Sequence, residues 1–361
     1  MKVERVDLLD YLRGIMALSV LVYHYTTWSN IDLIYPFDQS VPRLGVYAVS
    51  AFYVLSGASL AYVYCHKKVD IQFIKKFSIK RFFRIAPLLW VVTTATLAIA
   101  FITSGAPDVI TVILNYTLTF GWLSPNSYIA TGAWSIGNEL VFYSFFPIAL
   151  YLISKSRRYF AVFGVLSLVA SFFISEILID RTATLSSEWF LYINPLNQLY
   201  LFVGGFLIGY LLRKGVQIPK KVLLPILLVS VTSFIFFPVA EGGRLLYVTG
   251  INKVIFSLTI FGMALFSAFW GNVKQNIATS TLKYFGDVSY SIYLIHPISY
   301  NVVGHFVSME NTVIKLILSV TVTIISSTIV YKMIERPFIQ IGKKVSSTAK
   351  RENTNVEVRK A

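Results

Sequence analysis

The chain has 361 residues, of which 56% are hydrophobic and 14% are charged, and its mean hydropathy is +0.67. Soluble domains carry roughly 25% charged residues, so this composition excludes a cytosolic enzyme, a secreted disulfide scaffold and a disordered chain. The formal net charge is +15, and its meaning depends on where the basic residues lie.

Apolar runs of about 20 residues, the length that crosses about 30 Å of hydrocarbon as a helix, recur along the chain. An apolar run at 110–124 merges into 132–153, but Gly105, Pro107, Gly121 and Pro125 interrupt the segment 105–131. We expect a loop there that partly enters the protein. The sequence therefore predicts an all-α polytopic membrane protein with about ten transmembrane helices, near 8–28, 43–64, 85–103, 131–153, 159–178, 192–212, 222–238, 251–270, 286–306 and 313–333. We expect the first of these to be a retained helix, because no small-residue cleavage site follows it.

The lysine and arginine residues are divided unequally between the two sides of the membrane that these spans define. Most of the 32 lie on the side of the N-terminus, and the other side receives only Arg43, Arg181, Arg244, Lys253 and Lys315. The positive-inside rule then places both termini in the cytoplasm. This topology and the attraction to anionic lipid headgroups explain the net charge, so no nucleic acid partner is needed.

The domain organisation that we predict is simple. Residues 1–341 form one transmembrane domain without an internal repeat, and residues 342–361 form a polar cytoplasmic tail whose composition predicts disorder.

Ionisable residues inside apolar spans mark candidate functional sites, because each costs roughly 2.5–3.5 kcal/mol at the centre of a transmembrane helix. Arg13 and His24 lie 11 residues apart, about three helical turns, and so project from one stripe of the first span. Asp10 precedes Arg13 by one turn and can pair with it. The stripe favours a line of polar groups running into the membrane. The alternative is an Arg13 that reaches the headgroups and a His24 that is an ordinary buried histidine.

Two further groups lie in the first half of the chain. Arg81 and Arg84 share a helix face at the entrance to the third span, among several lysines. Guanidinium groups suit bidentate contacts to phosphate oxygens, so a phosphate clamp stands beside the alternative of an ordinary basic loop. Glu139 lies within an apolar span on the same face as Ser135, and we favour a functional carboxylate over one neutralised by a helix neighbour.

The second half of the chain adds one more stripe and one helix end. Ser289, Tyr293 and His296 recur at helical spacing before Pro297, and Glu335 precedes Arg336 at the end of the last span, where a local ion pair is the simplest reading. No pattern of the HExxH, CxxC, P-loop or nucleophile-elbow type is present in the sequence, so we expect no metal.

These segments, in this order, resemble acyltransferase family 3, the polytopic membrane acyltransferases that O-acetylate bacterial surface polysaccharides. The resemblance covers nearly the whole chain, and its carriers are Arg13-x10-His24, Phe52-Tyr-Val-Leu-Ser56-Gly57, the Phe77/Arg81/Arg84/Pro87 spacing, Trp134-Ser135-x3-Glu139, Ser289-Tyr290-Ser-Ile-Tyr293-Leu-x-His296-Pro297 and Glu335-Arg-Pro337. Many relatives carry an additional hydrolase-like domain after this region. The chain stops shortly after Pro337, so we expect a single-domain member.

The resemblance implies transfer of an acetyl group from acetyl-CoA to a sugar hydroxyl of a lipid-linked or polymeric glycan, such as O-antigen, capsule or exopolysaccharide, at the bacterial inner membrane. On this basis the catalytic candidates are His24, Glu139 and Arg13. His24 is the base and Glu139 orients it or stabilises its charge, while Arg81 and Arg84 bind the CoA phosphates with Arg13 at the mouth of the channel. The candidates for substrate or oxyanion contacts are Ser135, Trp134, Tyr293 and His296.

Two alternatives stay open at this point. The acetyl group passes to the acceptor either directly or through an acetyl-His24 intermediate. A transporter of a lipid-linked glycan or a small solute would also carry ionisable residues inside its spans, but the paired broken helices of such carriers are not evident in the sequence.

Overall fold

The computed structural model describes residues 5–103, 105, 107–240, 243–307 and 312–358, and for 348–358 the backbone alone. Every regular element in this part of the chain is helical, which confirms the predicted all-α class. The α-helices are α1 (Asp7–Trp28), α2 (Phe37–Tyr64), α3 (Ile71–Thr103), α4 (Val109–Tyr116), α5 (Phe120–Leu123), α6 (Ala133–Lys155), α7 (Arg157–Phe173), α8 (Trp189–Tyr192), α9 (Pro195–Arg213), α10 (Lys220–Phe236), α11 (Gly250–Phe269), α12 (Ile277–Asp287), α13 (Ser289–Phe306), α14 (Thr312–Val330) and α15 (Arg336–Val358). A π-helical turn extends α7 over Ile174–Leu178, a second joins α14 to α15 over Tyr331–Glu335, and a 3-10 turn at Arg244–Val248 precedes α11.

Seven helical segments in the described ranges are long and apolar enough to cross a membrane. They are Phe37–Tyr64, Ile71–Thr103, Ala133–Lys155, Arg157–Leu178, Trp189–Arg213, Gly250–Phe269 and Thr312–Ser347. This set indicates a multi-pass membrane protein.

Three other helices coincide with predicted spans but are not among the seven. Helix α10 has only 17 residues, α1 carries Asp7, Asp10 and Arg13, and α13 is rich in serine, tyrosine and histidine. The total of ten spans and the cytoplasmic position of the termini therefore stay predictions. Residues 1–4 and 359–361, which include the ends of the chain, lie outside the described residues.

The helix boundaries differ from the predicted ones mainly where helices extend past the apolar runs. Helix α3 begins at Ile71 rather than near residue 85, because the helical backbone continues through the basic segment that holds Arg81 and Arg84. Helix α15 continues to Val358, through the segment for which composition predicts a disordered tail. Hydropathy identifies the membrane-embedded part of a helix and not its polar extension. The division at residue 341 is thus not marked by a break in the backbone.

The interrupted segment before α6 packs into the protein, as expected for a loop that enters it. It contains the short helices α4 and α5, and the side chains of Asn115 and Phe120 are fully buried. Asn115 donates through Nδ2 to the carbonyl oxygen of Ser127, at 2.6 Å, and accepts at Oδ1 from the backbone amide of Ile129, at 3.1 Å. This asparagine therefore fixes the loop that leads into α6.

Helices α2 and α9 form a closely packed pair that runs parallel. A Cβ atom at Gly205 would lie 2.1 Å from the carbonyl oxygen of Val54, and one at Gly209 would lie 2.0 Å from that of Ala58. Only glycine permits two helix backbones to approach this closely, as in the small-residue interfaces of other membrane helices. This contact sets the position of α2, which lines the candidate site along much of its length.

We predict that Gly205→Ala lowers the thermal unfolding temperature of the detergent-purified protein. The added methyl group overlaps backbone rather than a movable side chain, and overpacking of this kind costs about 1–3 kcal/mol. The matched control is Gly164→Ala on α7, because a Cβ there meets nothing closer than Val203 Cγ1 at 3.8 Å. Equal unfolding temperatures for the two variants would show that the α2–α9 contact does not limit stability.

Reporter fusions test the predicted topology. We expect a cytoplasmic signal from fusions after Lys68, between α2 and α3, and after Lys360, which lies outside the described residues. A fusion after Ala240, between α10 and α11, should report the opposite side, because the positive-inside rule assigns few basic residues to it. An extracytoplasmic signal after Lys68 would contradict the orientation.

Candidate active site

A cavity of about 460 Å³ lies between α1, α2, α3, α6 and α13. This volume falls within the range of about 300–1,000 Å³ that is usual for ligand sites. The lining residues of α2 run from Val49 to Tyr64, which corresponds to about 22 Å of helix rise. The cavity is therefore long, and it follows the axis of α2.

Six charged side chains line this cavity. They are Arg5, Asp10, Arg13, Arg81, Arg84 and Glu139. The structure thus brings the predicted basic pair of α3 together with Arg13 of α1 and Glu139 of α6. Four guanidinium groups face two carboxylates, so the lining carries an excess of positive charge.

Arg13 is held by ion pairing within α1 and by one contact to α2. Its Nη1 donates to Asp10 Oδ1 at 2.7 Å, which confirms the predicted pairing of these two residues. Its Nη2 donates to Ser59 Oγ at 3.2 Å. Arg5 contacts the same carboxylate and also Asp287, so Asp10 is shared by two arginines.

Arg81 and Arg84 are held differently, and this difference bears on function. The guanidinium carbon of Arg81 lies 5.6 Å from the ring centroid of Phe77 and 5.5 Å from that of Tyr143. Its Nε is buried without a hydrogen-bond partner in the described part of the chain. Arg84 likewise has no hydrogen bond or ion pair among the described residues. Both side chains are half-buried, and withdrawing a guanidinium from water is costly when it lacks a partner, so both are suited to an anionic ligand.

Glu139 and Ser135 both line the cavity, as expected from their shared face on α6. Oε1 of Glu139 accepts a hydrogen bond from the hydroxyl of Tyr143 at 2.7 Å. The sequence prediction did not include Tyr143, although its position one helical turn after Glu139 indicates that the two side chains share a face.

Tyr293 lies at the end of the cavity near Phe52, and Tyr64 lies at the opposite end. The Tyr293 hydroxyl donates to the carbonyl oxygen of Gly132 at 2.9 Å and accepts from Ser135 Oγ at 2.8 Å. Gly132 has a φ of +82°, which turns the chain into α6. A Cβ at this position would lie 3.0 Å from the Tyr293 hydroxyl. The proton of this hydroxyl is therefore directed at protein backbone and not into the cavity.

His24 lies outside the cavity lining, in a cluster of rings beyond Tyr293. Its ring centroid is 4.6 Å from that of Trp28 and 5.1 Å from that of His296. The His296 ring in turn lies 6.2 Å from that of Tyr293. The pairing of the two histidines was not predicted, because they lie on different helices and no sequence spacing connects them.

His296 is buried within this cluster. Its Nδ1 is 3.2 Å from the carbonyl oxygen of Ile292, and its Nε2 has no hydrogen-bond partner in the described part of the chain. Because the carbonyl can only accept, Nδ1 carries the proton and Nε2 is the free acceptor. In this arrangement His296 does not offer a donor from Nε2.

Two of the predicted relationships are not present in this structure. Glu139 makes no hydrogen bond to His24 within the described residues, since the carboxylate lies in the cavity and the imidazole lies beyond Tyr293. Trp134 packs against Trp189 and Tyr192, with centroid distances of 5.5 and 5.8 Å, and does not line the cavity.

The last predicted residue is Glu335, at the junction of α14 and α15. Glu335 is buried and accepts a hydrogen bond from Ser291 Oγ at 2.7 Å, so its contact lies across to α13 and not with its neighbour Arg336. Within the described residues, no group of three or more histidine, cysteine, aspartate or glutamate side chains is arranged to hold a metal ion.

The sequence matches a known protein family over most of its length. The model of acyltransferase family 3, described as an acyltransferase domain, matches residues 6–332. A protein of Staphylococcus aureus strain COL that bears the name "Putative O-acetyltransferase" is 27% identical over 379 residues, which cover 94% of this chain and 58% of that protein. Proteins with the same descriptive name in strains MSSA476 and MRSA252 are 27% identical over 372 residues, covering 92% of this chain and 57% of each.

The chain therefore spans less than two thirds of the length of these relatives. No solved structure matches it. Because the family match extends over nearly the whole chain, this protein belongs to acyltransferase family 3.

Proposed function

We propose that the protein is an O-acetyltransferase of the bacterial inner membrane, which transfers an acetyl group from acetyl-CoA to a sugar hydroxyl of a surface polysaccharide. The observation that carries this proposal is the long cavity with two arginines, Arg81 and Arg84, that make no hydrogen bond or ion pair among the described residues. The name of the staphylococcal relatives supports acetyl as the group and oxygen as its acceptor.

The donor fits the shape and the charge of the cavity. Acetyl-CoA carries its phosphates at one end and its thioester at the end of a thin pantetheine arm. Guanidinium groups form strong, charge-assisted hydrogen bonds with phosphate oxygens. If the phosphates lie at Arg81 and Arg84, the arm extends along α2 and brings the thioester towards Tyr293.

The reaction requires a base, because a sugar hydroxyl is too weakly acidic to attack a thioester unaided near neutral pH. His24 fills this role in the proposal, since imidazole accepts and releases protons near pH 7. The acceptor oxygen forms a bond to the acetyl carbonyl carbon, the carbon–sulfur bond breaks, and the proton taken from the hydroxyl passes to the CoA sulfur. An acetyl-His24 intermediate divides the same balance into two steps.

The proposed oxyanion contacts need a local rearrangement. The Tyr293 hydroxyl donates to the Gly132 carbonyl, and the single proton of Ser135 Oγ is within reach of both the Tyr293 oxygen and that carbonyl. Rotation of either hydroxyl away from this carbonyl would free a donor for the developing negative charge on the thioester oxygen. Glu139 would reach His24 only after displacement of Tyr293. In its present position Glu139 lines the cavity and accepts a hydrogen bond from Tyr143.

We predict that His24→Ala lowers acetyl transfer by about 100-fold or more, the usual contribution of a positioned general base. The measurement is the amount of label that passes from acetyl-CoA to polysaccharide in vesicles containing equal amounts of wild-type or variant protein. The control is His305→Ala, near the end of α13 and outside the site. Full activity of His24→Ala would exclude both the direct route and the acetyl-His24 route. Label on the wild-type protein in the absence of acceptor would distinguish the second route from the first.

We predict that Arg84→Lys weakens the binding of acetyl-CoA to the purified protein. Lysine keeps the charge but loses the planar fork, and a hydrogen bond to a charged group contributes about 1.5–3 kcal/mol, or about 10- to 100-fold in affinity. The matched control is Arg158→Lys at the start of α7, which does not line the cavity. Equal dissociation constants for wild type and Arg84→Lys would place the phosphates elsewhere.

A further inference from the structure

We infer that Tyr62 and Arg213 form a separate subsite for the adenosine 3′-phosphate end of the donor, next to the cavity. This inference rests on the proposed use of a CoA thioester. It assigns a function to a pair of side chains that the reaction itself does not require.

The position of the pair follows from the parallel packing of α2 and α9. Gly209 of α9 meets Ala58 of α2, and one helical turn further along both helices Arg213 meets Tyr62. The guanidinium carbon of Arg213 lies 5.8 Å from the ring centroid of Tyr62. Both side chains are half-buried, so part of each remains accessible to a ligand.

Tyr62 lines the cavity, whereas Arg213 lies just outside it. At the other end of the cavity, Phe52 of α2 packs against Tyr293, with a centroid distance of 6.0 Å. The Tyr62–Arg213 pair is thus at the end of α2 that is remote from Tyr293 and from the histidine cluster. A ligand whose reactive group reaches Tyr293 would have its opposite end here.

The charge around this pair favours an anion. Arg213 has no ion pair to a carboxylate among the described residues. The neighbouring ends of α2 and α9 add three exposed basic side chains, Lys67, Lys68 and Lys214. The carboxylate of Asp70, close by in sequence, is engaged in capping α3, where it accepts from the backbone amide of Phe73 at 2.7 Å.

The chemistry of CoA matches this arrangement. The part of the cavity that runs along α2 towards Tyr293 suits the thin pantetheine arm, and the bulkier nucleotide then lies at the end marked by Tyr62 and Arg213. A purine base stacks on the face of an aromatic ring or of a guanidinium group, and a guanidinium fork binds phosphate in bidentate fashion. With the diphosphate at Arg81 and Arg84, the adenine stacks on Tyr62 and the 3′-phosphate binds Arg213.

The test compares the binding of CoA and 3′-dephospho-CoA to the purified full-length protein by isothermal titration calorimetry. We expect the wild type to bind CoA about tenfold more tightly than 3′-dephospho-CoA, and Arg213→Ala to lose this preference by weakening CoA binding alone. Arg213→Lys should keep part of the preference. The matched control is Lys155→Ala, which removes a cation that also packs over a tyrosine ring, that of Tyr151 at 5.4 Å, but at the end of α6.

The possible results separate the two proposals. If the wild type binds neither compound, the proposed donor is wrong and the subsite falls with it. If the wild type prefers CoA and Arg213→Ala and Arg213→Lys keep the full preference, the subsite is overturned and the proposed function stands. Tyr62→Ala should weaken the binding of both compounds, since both contain adenine. Tyr62→Phe should bind both with wild-type affinity.

Discussion

The burial of arginine side chains inside a helical membrane domain is the constraint on which this structure depends. A guanidinium group cannot release its proton in a protein, so each buried arginine needs acceptors, an aromatic face or a ligand. Arg43 is fully buried and donates to the carbonyl oxygens of Phe234, Ile235 and Phe237, where α10 ends. Its guanidinium carbon also lies 4.8 Å from the ring centroid of Phe256. The two terminal nitrogens of this arginine are satisfied by the fold itself, although its Nε, like that of Arg81, is buried without a hydrogen-bond partner in the described part of the chain.

The cavity arginines show the opposite pattern. Arg13 is satisfied by Asp10 and Ser59, but Arg81 is held mainly by aromatic faces and Arg84 has no hydrogen bond or ion pair in the described ranges. The fold thus uses Arg43 to close a helix end, whereas Arg81 and Arg84 line the cavity without a hydrogen bond or ion pair among the described residues. Under the proposed function, partner geometry and not residue type distinguishes the structural arginine from the ligand-binding pair.

The sequence predicted relations within a helix well and relations between helices poorly. The 3.6-residue period places Asp10 beside Arg13, and Ser135 on the face of Glu139, and the structure confirms both. The period does not say which helix a face meets. The proximity of His24 to His296 and the contact of Trp134 with Trp189 therefore required the structure. Arg43 was assigned only to one side of the membrane. Three of its acceptors are backbone carbonyls of another helix end, which leave no mark in the sequence, and the fourth is the side chain of Gln39, one turn earlier in α2.

The separation of His24 from the cavity has a direct consequence for the proposed reaction. Tyr293 lies between the carboxylate of Glu139 and the histidine pair, and it is fixed by hydrogen bonds to Gly132 and Ser135 at the start of α6. Tyr293 is the last residue of α13 that lines the cavity, and His296, which contacts His24, lies one turn further along the helix. In the proposed reaction, transfer from a thioester in the cavity to an acceptor at His24 would require Tyr293 to leave the Gly132 carbonyl. The same movement frees the hydroxyls of Tyr293 and Ser135 as donors, so opening of the path and formation of the oxyanion contacts would be a single conformational step.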